Sequence, residues 1–153
     1  MRLAFRTWVP AAGWTLMNVA AGGDLLSAER TSGMLLRFLQ LFSAPVDPSL
    51  VATLNFVLRK SGHFINYAIL SWLWFRAFRY RELRASSRSW QLRWALWGCV
   101  LAVATALADE TLQRFVPART GNFRDVVLDA AGAIAVQLFL LWVWKKRQRK
   151  AAA

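Results

Sequence analysis

Histidine and cysteine each occur once in this chain of 153 residues, and carboxylates are scarce, with eight Asp and Glu against twenty Lys and Arg. A lone cysteine, Cys99, rules out an intrachain disulfide and any metal site built from several thiolates. A lone histidine, His63, argues against zinc catalysis, which usually takes several His or Cys ligands. Internal repeats are absent, and so are low-complexity segments apart from a basic tail.

What is abundant is apolar surface. Hydrophobic residues make up 57% of the chain, and tryptophan alone occurs nine times. A soluble domain of this size has too small a core to hide that much, and the remainder would aggregate. A bilayer removes the difficulty by serving as the apolar solvent. Helices satisfy their own backbone groups there. The composition therefore predicts an all-α integral membrane protein.

Four apolar stretches are candidate spans of one transmembrane domain, at roughly 7–23, 63–80, 92–110 and 124–144. Most are short of the ~20 residues a full crossing prefers, and Trp and Arg at their ends lengthen them into the headgroups. The first also has the basic-then-apolar layout of a signal peptide; the four-span reading keeps it as a span. Between the first two, "MLLRFLQLF" suits a helix lying in the interface. "VDPSL" starts another, with Asp47 as N-cap and Pro48 in the first turn, and Ser61–Gly62 is expected to bend or break it before the second span. The expected architecture is a four-transmembrane-helix bundle with short interfacial helices between spans one and two.

The basic residues are not spread as a nucleic-acid-binding face. Runs such as "RAFRYRELRASSRSWQLR" and "KKRQRK" sit just outside apolar stretches, as topogenic charge does, and nucleic acid is not an expected partner. Four crossings put both termini on one side with the loop between spans two and three. That side holds thirteen Lys and Arg against one acid, Glu82, while the other holds seven of each sign. The positive-inside rule then makes both termini cytoplasmic.

The same count brings two polar clusters to the outer face. Lys60, His63 and Tyr67 fall on one helical stripe, at i, i+3 and i+7. Asp109 and Gln113 are i, i+4, with Glu110 beside Asp109. Asp125, Asp129 and Gly132 repeat the pattern. Polar groups in a span turn away from lipid and toward each other. Gly132 would let a neighbouring helix come close. Thr120, Gly121 and Asn122 read as a turn after Pro117, with Asn122 the N-cap of span four and Asp125 beside the positive end of its dipole. That accounts for Asp125 without a function. It leaves Asp129, one turn deeper, in need of a partner, for which Arg119, Arg124 and Lys60 are the candidates. His63 is open to two readings: a polar residue at the headgroups, or a proton-transfer group that titrates near neutral pH. Tyr67 is equally at home in an interfacial aromatic belt. The four acids could hold a hard divalent ion, but no metal or other cofactor is the preferred reading.

At these positions the chain resembles the VanZ-like family of small bacterial membrane proteins. "RKSGHFINYAIL" is similar to that family's Lys-x-x-His-x-x-x-Tyr segment, and "DETLQRFVPARTGNFRDVVLDAAGA" to its long acidic block. The earlier "LSAERTSG" is similar to a Ser/Thr-bearing segment after the family's first span. The resemblance implies a multi-pass protein of the bacterial plasma membrane and points to Lys60, His63, Tyr67, Asp109, Glu110, Gln113, Phe115, Pro117, Arg119, Asp125, Asp129 and Gly132. The family's namesake is associated with resistance to the glycopeptide teicoplanin.

Two functions compete. One is an outward-facing site that binds or acts on an anionic lipid-linked or cell-envelope group, a lipid phosphate or an envelope precursor. In it His63 would be acid or base, with Asp109 or Glu110 its paired carboxylate. Lys60 and Arg119 would clamp the anion, and Tyr67, Gln113, Asp125 and Asp129 would complete the lining. The other is a non-catalytic accessory protein whose charges hold the helices together. A proton or ion path is poorly supplied, since the inner half of span four offers only Gln137. Membrane lipids are the expected partners in any of these readings, and the sequence leaves the oligomeric state open.

Overall fold

A computed structural model describes residues 2–20, 28–42, 47–80, 90–115 and 122–152. These form five α-helices and no strand: α1 Arg2–Ala20, α2 Ala28–Gln40, α3 Pro48–Tyr80, α4 Leu92–Gln113 and α5 Phe123–Ala151. The longest, α3, touches all four others and is the axis of the bundle.

The helix ends follow local chemistry. Asp47 accepts hydrogen bonds from the Ser49 N–H at 2.9 Å and the Ser49 hydroxyl at 2.7 Å, while its carbonyl takes the first helical bond from Val51. Pro48, with its fixed φ and missing N–H, fits the first turn. The two Ser49 bonds hold the Asp47 carboxyl below its ordinary value, the hydroxyl bond more than the backbone one. Asn122 caps α5 in extended conformation, its side chain accepting from the Arg124 N–H at 3.0 Å. Both caps match the sequence expectation.

Ser61–Gly62 differs from it. Helix α3 runs unbroken for 33 residues, so the stretch opening at Pro48 is not a separate interfacial helix. Gly62 has open space around it and its backbone remains helical. Side chains just before and just after it, Lys60 and His63, are both tied to α5, which pins the helix on either side of the weak point. Helix α2 likewise begins earlier than the apolar "MLLRFLQLF", taking in the Ser/Thr segment. It leaves Met34 and Phe38 exposed, as an interfacial helix would.

The packing is inverted relative to a soluble protein. On α4 the exposed residues include Leu96, Trp97, Val100 and Leu107, and on α5 Ile134, Leu138, Phe139 and Trp142. The buried set includes Ser71, Thr105, Asp109, Glu110, Gln113, Asp125, Asp129 and Gln137. Apolar outside and polar inside is the arrangement a hydrocarbon solvent selects. Two helices, α4 and α5, are long and apolar enough to cross a membrane by length and composition. The other two expected spans, on α1 and α3, do not reach that mark; α3 carries Arg59, Lys60, His63, Arg76 and Arg79 along its length.

Where helices meet, residues are small. Ala102, Ala106 and Ala133 are fully buried around Tyr67 and Leu70, and Ala11 and Ala77 around Leu73. Small residues let backbones approach and gain dispersion contact, the main attraction left when lipid removes the hydrophobic drive. A Cβ on Gly98 would lie 2.8 Å from the Ser71 carbonyl, and one on Gly132 would run into the Phe64 backbone. Gly132 thus sets the α3–α5 approach, as its place in the small-residue run predicts. Deep in this contact, Gln137 donates to the Ser71 hydroxyl at 2.8 Å and carbonyl at 3.2 Å, and the Ser71 hydroxyl donates to the Ala133 carbonyl at 3.1 Å.

One end of the bundle is aromatic. Trp8, Trp74, Phe78, Trp94 and Trp97 adjoin one another, with Phe78 and Trp94 stacked at 5.9 Å. The other end, where α4 finishes and α5 begins, is polar.

Candidate functional site

Three helices converge at the polar end, and each sequence-predicted stripe faces the others. Lys60 on α3 forms an ion pair with Asp125 on α5. One turn on, His63 Nδ1 lies 3.2 Å from Asp129 Oδ1. Glu110 on α4 accepts the Asn122 N–H at 2.6 Å through Oε2. The N-cap residue of α5 is therefore held from two sides, its side chain bonding the first turn and its backbone bonding α4.

The partner of Asp129 was expected to be Arg119, Arg124 or Lys60. Among the described residues it is His63. The helical register explains the difference: Lys60 and His63, three apart, meet Asp125 and Asp129, four apart, so two rungs form and Lys60 is used by the upper one. Arg124 points outward and is exposed. Arg119, with Pro117, Thr120 and Gly121, lies outside the described residues.

The hydrogen-bond donors in this cluster do not satisfy all its acceptors. Asp109 Oδ1, Asp129 Oδ2 and the Tyr67 hydroxyl are buried without a hydrogen-bond partner among the described residues. Tyr67 is 1% exposed and sits in the field of Asp109, Asp129 and Glu110. An unpartnered buried polar atom costs roughly 1–3 kcal/mol, so such a group calls for a ligand, a water or a proton. Phe115, which the family resemblance also pointed to, is 80% exposed and belongs to the outer surface.

Two cavities open at this end. The first, about 350 Å³, is lined by Arg59, Lys60 and His63 together with Ser32, Asn55, Asn122 and Asp125. The second, about 380 Å³, is lined by Asn18, Asn66, Tyr67, Asp109 and Gln113, and again by Arg59 and His63. These last two side chains are the wall between the cavities. With Nδ1 turned to Asp129, Nε2 is the His63 ring nitrogen left to meet a ligand. Among the described residues no three His, Cys, Asp or Glu side chains converge on a metal position.

Sequence reasoning missed Arg59, Asn55, Asn66, Asn18 and Ser32. Arg59, Asn55 and Asn66 share the Lys60–His63–Tyr67 stripe, since 55, 59, 63 and 66 recur at helical spacing, so a longer window would have found them. Asn18 carries no local signal, and Ser32 lies in the "LSAERTSG" segment, whose family likeness did not tie it to this site. They arrive through tertiary contacts: Asn66 donates to Asn18 and accepts from the Trp14 indole at 2.9 Å, and Asn55 donates to the Ser32 hydroxyl at 2.6 Å. The Ser/Thr segment of α2 is thereby brought to the cationic cavity.

An all-helical protein with apolar outer faces and a buried polar cluster is a membrane-type protein by these features. Its sequence matches the VanZ/LLP1 family over residues 11–145, and the chain belongs to that family. No curated protein and no solved structure matches it.

Proposed function

We propose that this VanZ/LLP1 protein crosses the membrane four times and carries, at its extracytoplasmic rim, a binding site for an anionic lipid-linked or cell-envelope group such as a lipid phosphate. The observation that supports it is the first cavity. Three cationic or proton-bearing side chains, Arg59, Lys60 and His63, line it with the neutral donors Ser32, Asn55 and Asn122, and one acid, Asp125, is already paired to Lys60. Guanidinium, ammonium and amide donors gathered on one concave surface suit a phosphate. The rim position rests on the charge asymmetry of the sequence, thirteen Lys and Arg on the side assigned to the cytoplasm against seven on the other.

Within this reading His63 is the acid or base, and Asp129 is its positioning carboxylate. Asp109 is a lining residue rather than the partner of the imidazole. Glu110 acts through Asn122, holding the start of α5, and is also a positioning residue. A link to glycopeptide resistance is an extension of the same reading, with an anionic envelope precursor as the ligand.

A second reading has its own support. Lys60–Asp125, His63–Asp129 and Glu110–Asn122 all join α5 to a neighbour, so the same groups serve as helix ties in a non-catalytic accessory protein. The two are separated by titrating purified protein with a short-chain phosphatidic acid. The proposed site predicts saturable binding that weakens about tenfold or more in Arg59→Gln with the fold intact. Equal binding by the wild type and Arg59→Gln would leave only the helix ties.

A further inference from the structure

Resting on that reading, the second cavity extends it. We infer that it is a subsite for an ammonium or amine group carried by the same ligand, so that the ligand class is a phosphate–ammonium zwitterion of the phosphoethanolamine type.

The first support is what the cavity lacks. Tyr67 and Asp109 line it, both more than nine-tenths buried; the phenol O–H lies within reach of the Asp109 carboxylate, and beyond that contact neither the Tyr67 hydroxyl nor Asp109 Oδ1 meets a hydrogen-bond partner among the described residues. A carboxylate oxygen accepts, and a phenol oxygen can accept as well. With the phenol O–H directed to Asp109, what remains unmet is acceptor capacity on the phenol oxygen and the carboxylate, which calls for a partner rich in N–H or O–H donors. A cation supplies them and offsets the buried charge at once. Gln113, also buried and also in the lining, adds an amide carbonyl.

The second support is what the wall does. Asn18 and Asn66 bond each other and Trp14, so they fix the shape of the cavity and are already engaged. Arg59 and His63 line both cavities. An anion on one side of that wall and a cation on the other must lie close together in the ligand, as in a headgroup with a short spacer. A hard divalent ion fits less well. It takes six or more oxygen ligands, whereas the second cavity offers one carboxylate, Asp109, with a phenol and amides.

The chemistry is shared by a phosphatidylethanolamine headgroup and by a water-soluble phosphoethanolamine. The test uses the full chain in detergent, titrated with glycerophosphoethanolamine, glycerol 3-phosphate and ethanolamine. A parallel arm measures retention of phosphatidylethanolamine against phosphatidylglycerol in nanodiscs. The wild type is expected to prefer glycerophosphoethanolamine to glycerol 3-phosphate by about tenfold, as one buried charge pair would give. Asp109→Asn, nearly isosteric, should bring that ratio to about one. Tyr67→Phe should lower the ratio partway, giving an independent reading if Asp109→Asn fails to fold. Enrichment of phosphatidylethanolamine assigns the zwitterion to a lipid, and a preference seen only with the soluble headgroup assigns it to a water-soluble ligand. Equal wild-type affinities for the two phosphates overturn the ammonium subsite while leaving the anion site standing. No binding of either phosphate overturns both.

Discussion

His63 on α3 and Asp129 on α5 are 66 residues apart in the chain and 3.2 Å apart in the fold. Asp129 is 1% exposed, a carboxylate placed well inside the bundle, and the imidazole is the group that meets it. Asp129→Asn keeps the acceptor oxygen and should change stability by no more than about 1 kcal/mol. Asp129→Ala strands His63 and should cost roughly 2–3 kcal/mol. Thermal or SDS unfolding of the purified variants checks the difference.

Gly132 sets the spacing of α3 and α5. Its missing Cβ is filled by the Phe64 backbone, which cannot swing aside as a flexible side chain would. Gly132→Ala should therefore destabilise by roughly 2–3 kcal/mol through forced separation of the helices. Gly13, on α1, has open space around it. There the same substitution should be neutral or stabilise by up to about 1 kcal/mol, because alanine is the better helix former. Comparing the two melting temperatures isolates packing from propensity.

Deeper in the bundle, Gln137 spans from α5 to Ser71 on α3. In hydrocarbon such side-chain bonds are worth ~0.6–2 kcal/mol. A double-mutant cycle with Ser71→Ala and Gln137→Leu should return a coupling of about 1 kcal/mol. A coupling near zero would mean that the contact is incidental.

The start of α3 should respond to acid. Asp47 has its carboxyl lowered by the Ser49 bonds, so its contribution is present above the ordinary carboxylate range and lost as pH falls through the lowered value. The side chain is fully exposed, so the expected effect is local fraying. The protection of the Ser49 amide against hydrogen exchange, relative to its intrinsic rate at each pH, should fall at low pH in the wild type, and Asp47→Asn should reduce that dependence.

Much of this arrangement could be read from residue spacing. The polar stripes on α3, α4 and α5 recur at helical period, and charge asymmetry placed them at one end; the contacts Lys60–Asp125 and His63–Asp129 follow that pattern. The wrong partner for Asp129 arose because a sequence shows which face a residue occupies and not the axial offset between two helices. The offset depends on small-residue contacts such as Gly132 against Phe64. Gly62 misled for a similar reason. Glycine lowers helix propensity by about 1 kcal/mol, but ties at Lys60 and His63 on either side outweigh that. Asn18 had no local signature, and the Ser/Thr segment holding Ser32 gave no sign of where it would sit, because tertiary packing brings both to the site.

The most direct test of the central claim, a polar site at the outer rim of four crossings, is the side of the membrane on which α3 shows Ser61. In a Cys99→Ser background, Ser61→Cys and Gln148→Cys are expressed in intact cells and exposed to a membrane-impermeant maleimide. Ser61→Cys is expected to label from outside, and Gln148→Cys only after permeabilisation. Labelling of Gln148→Cys in intact cells, with Ser61→Cys protected until the membrane is opened, would contradict it.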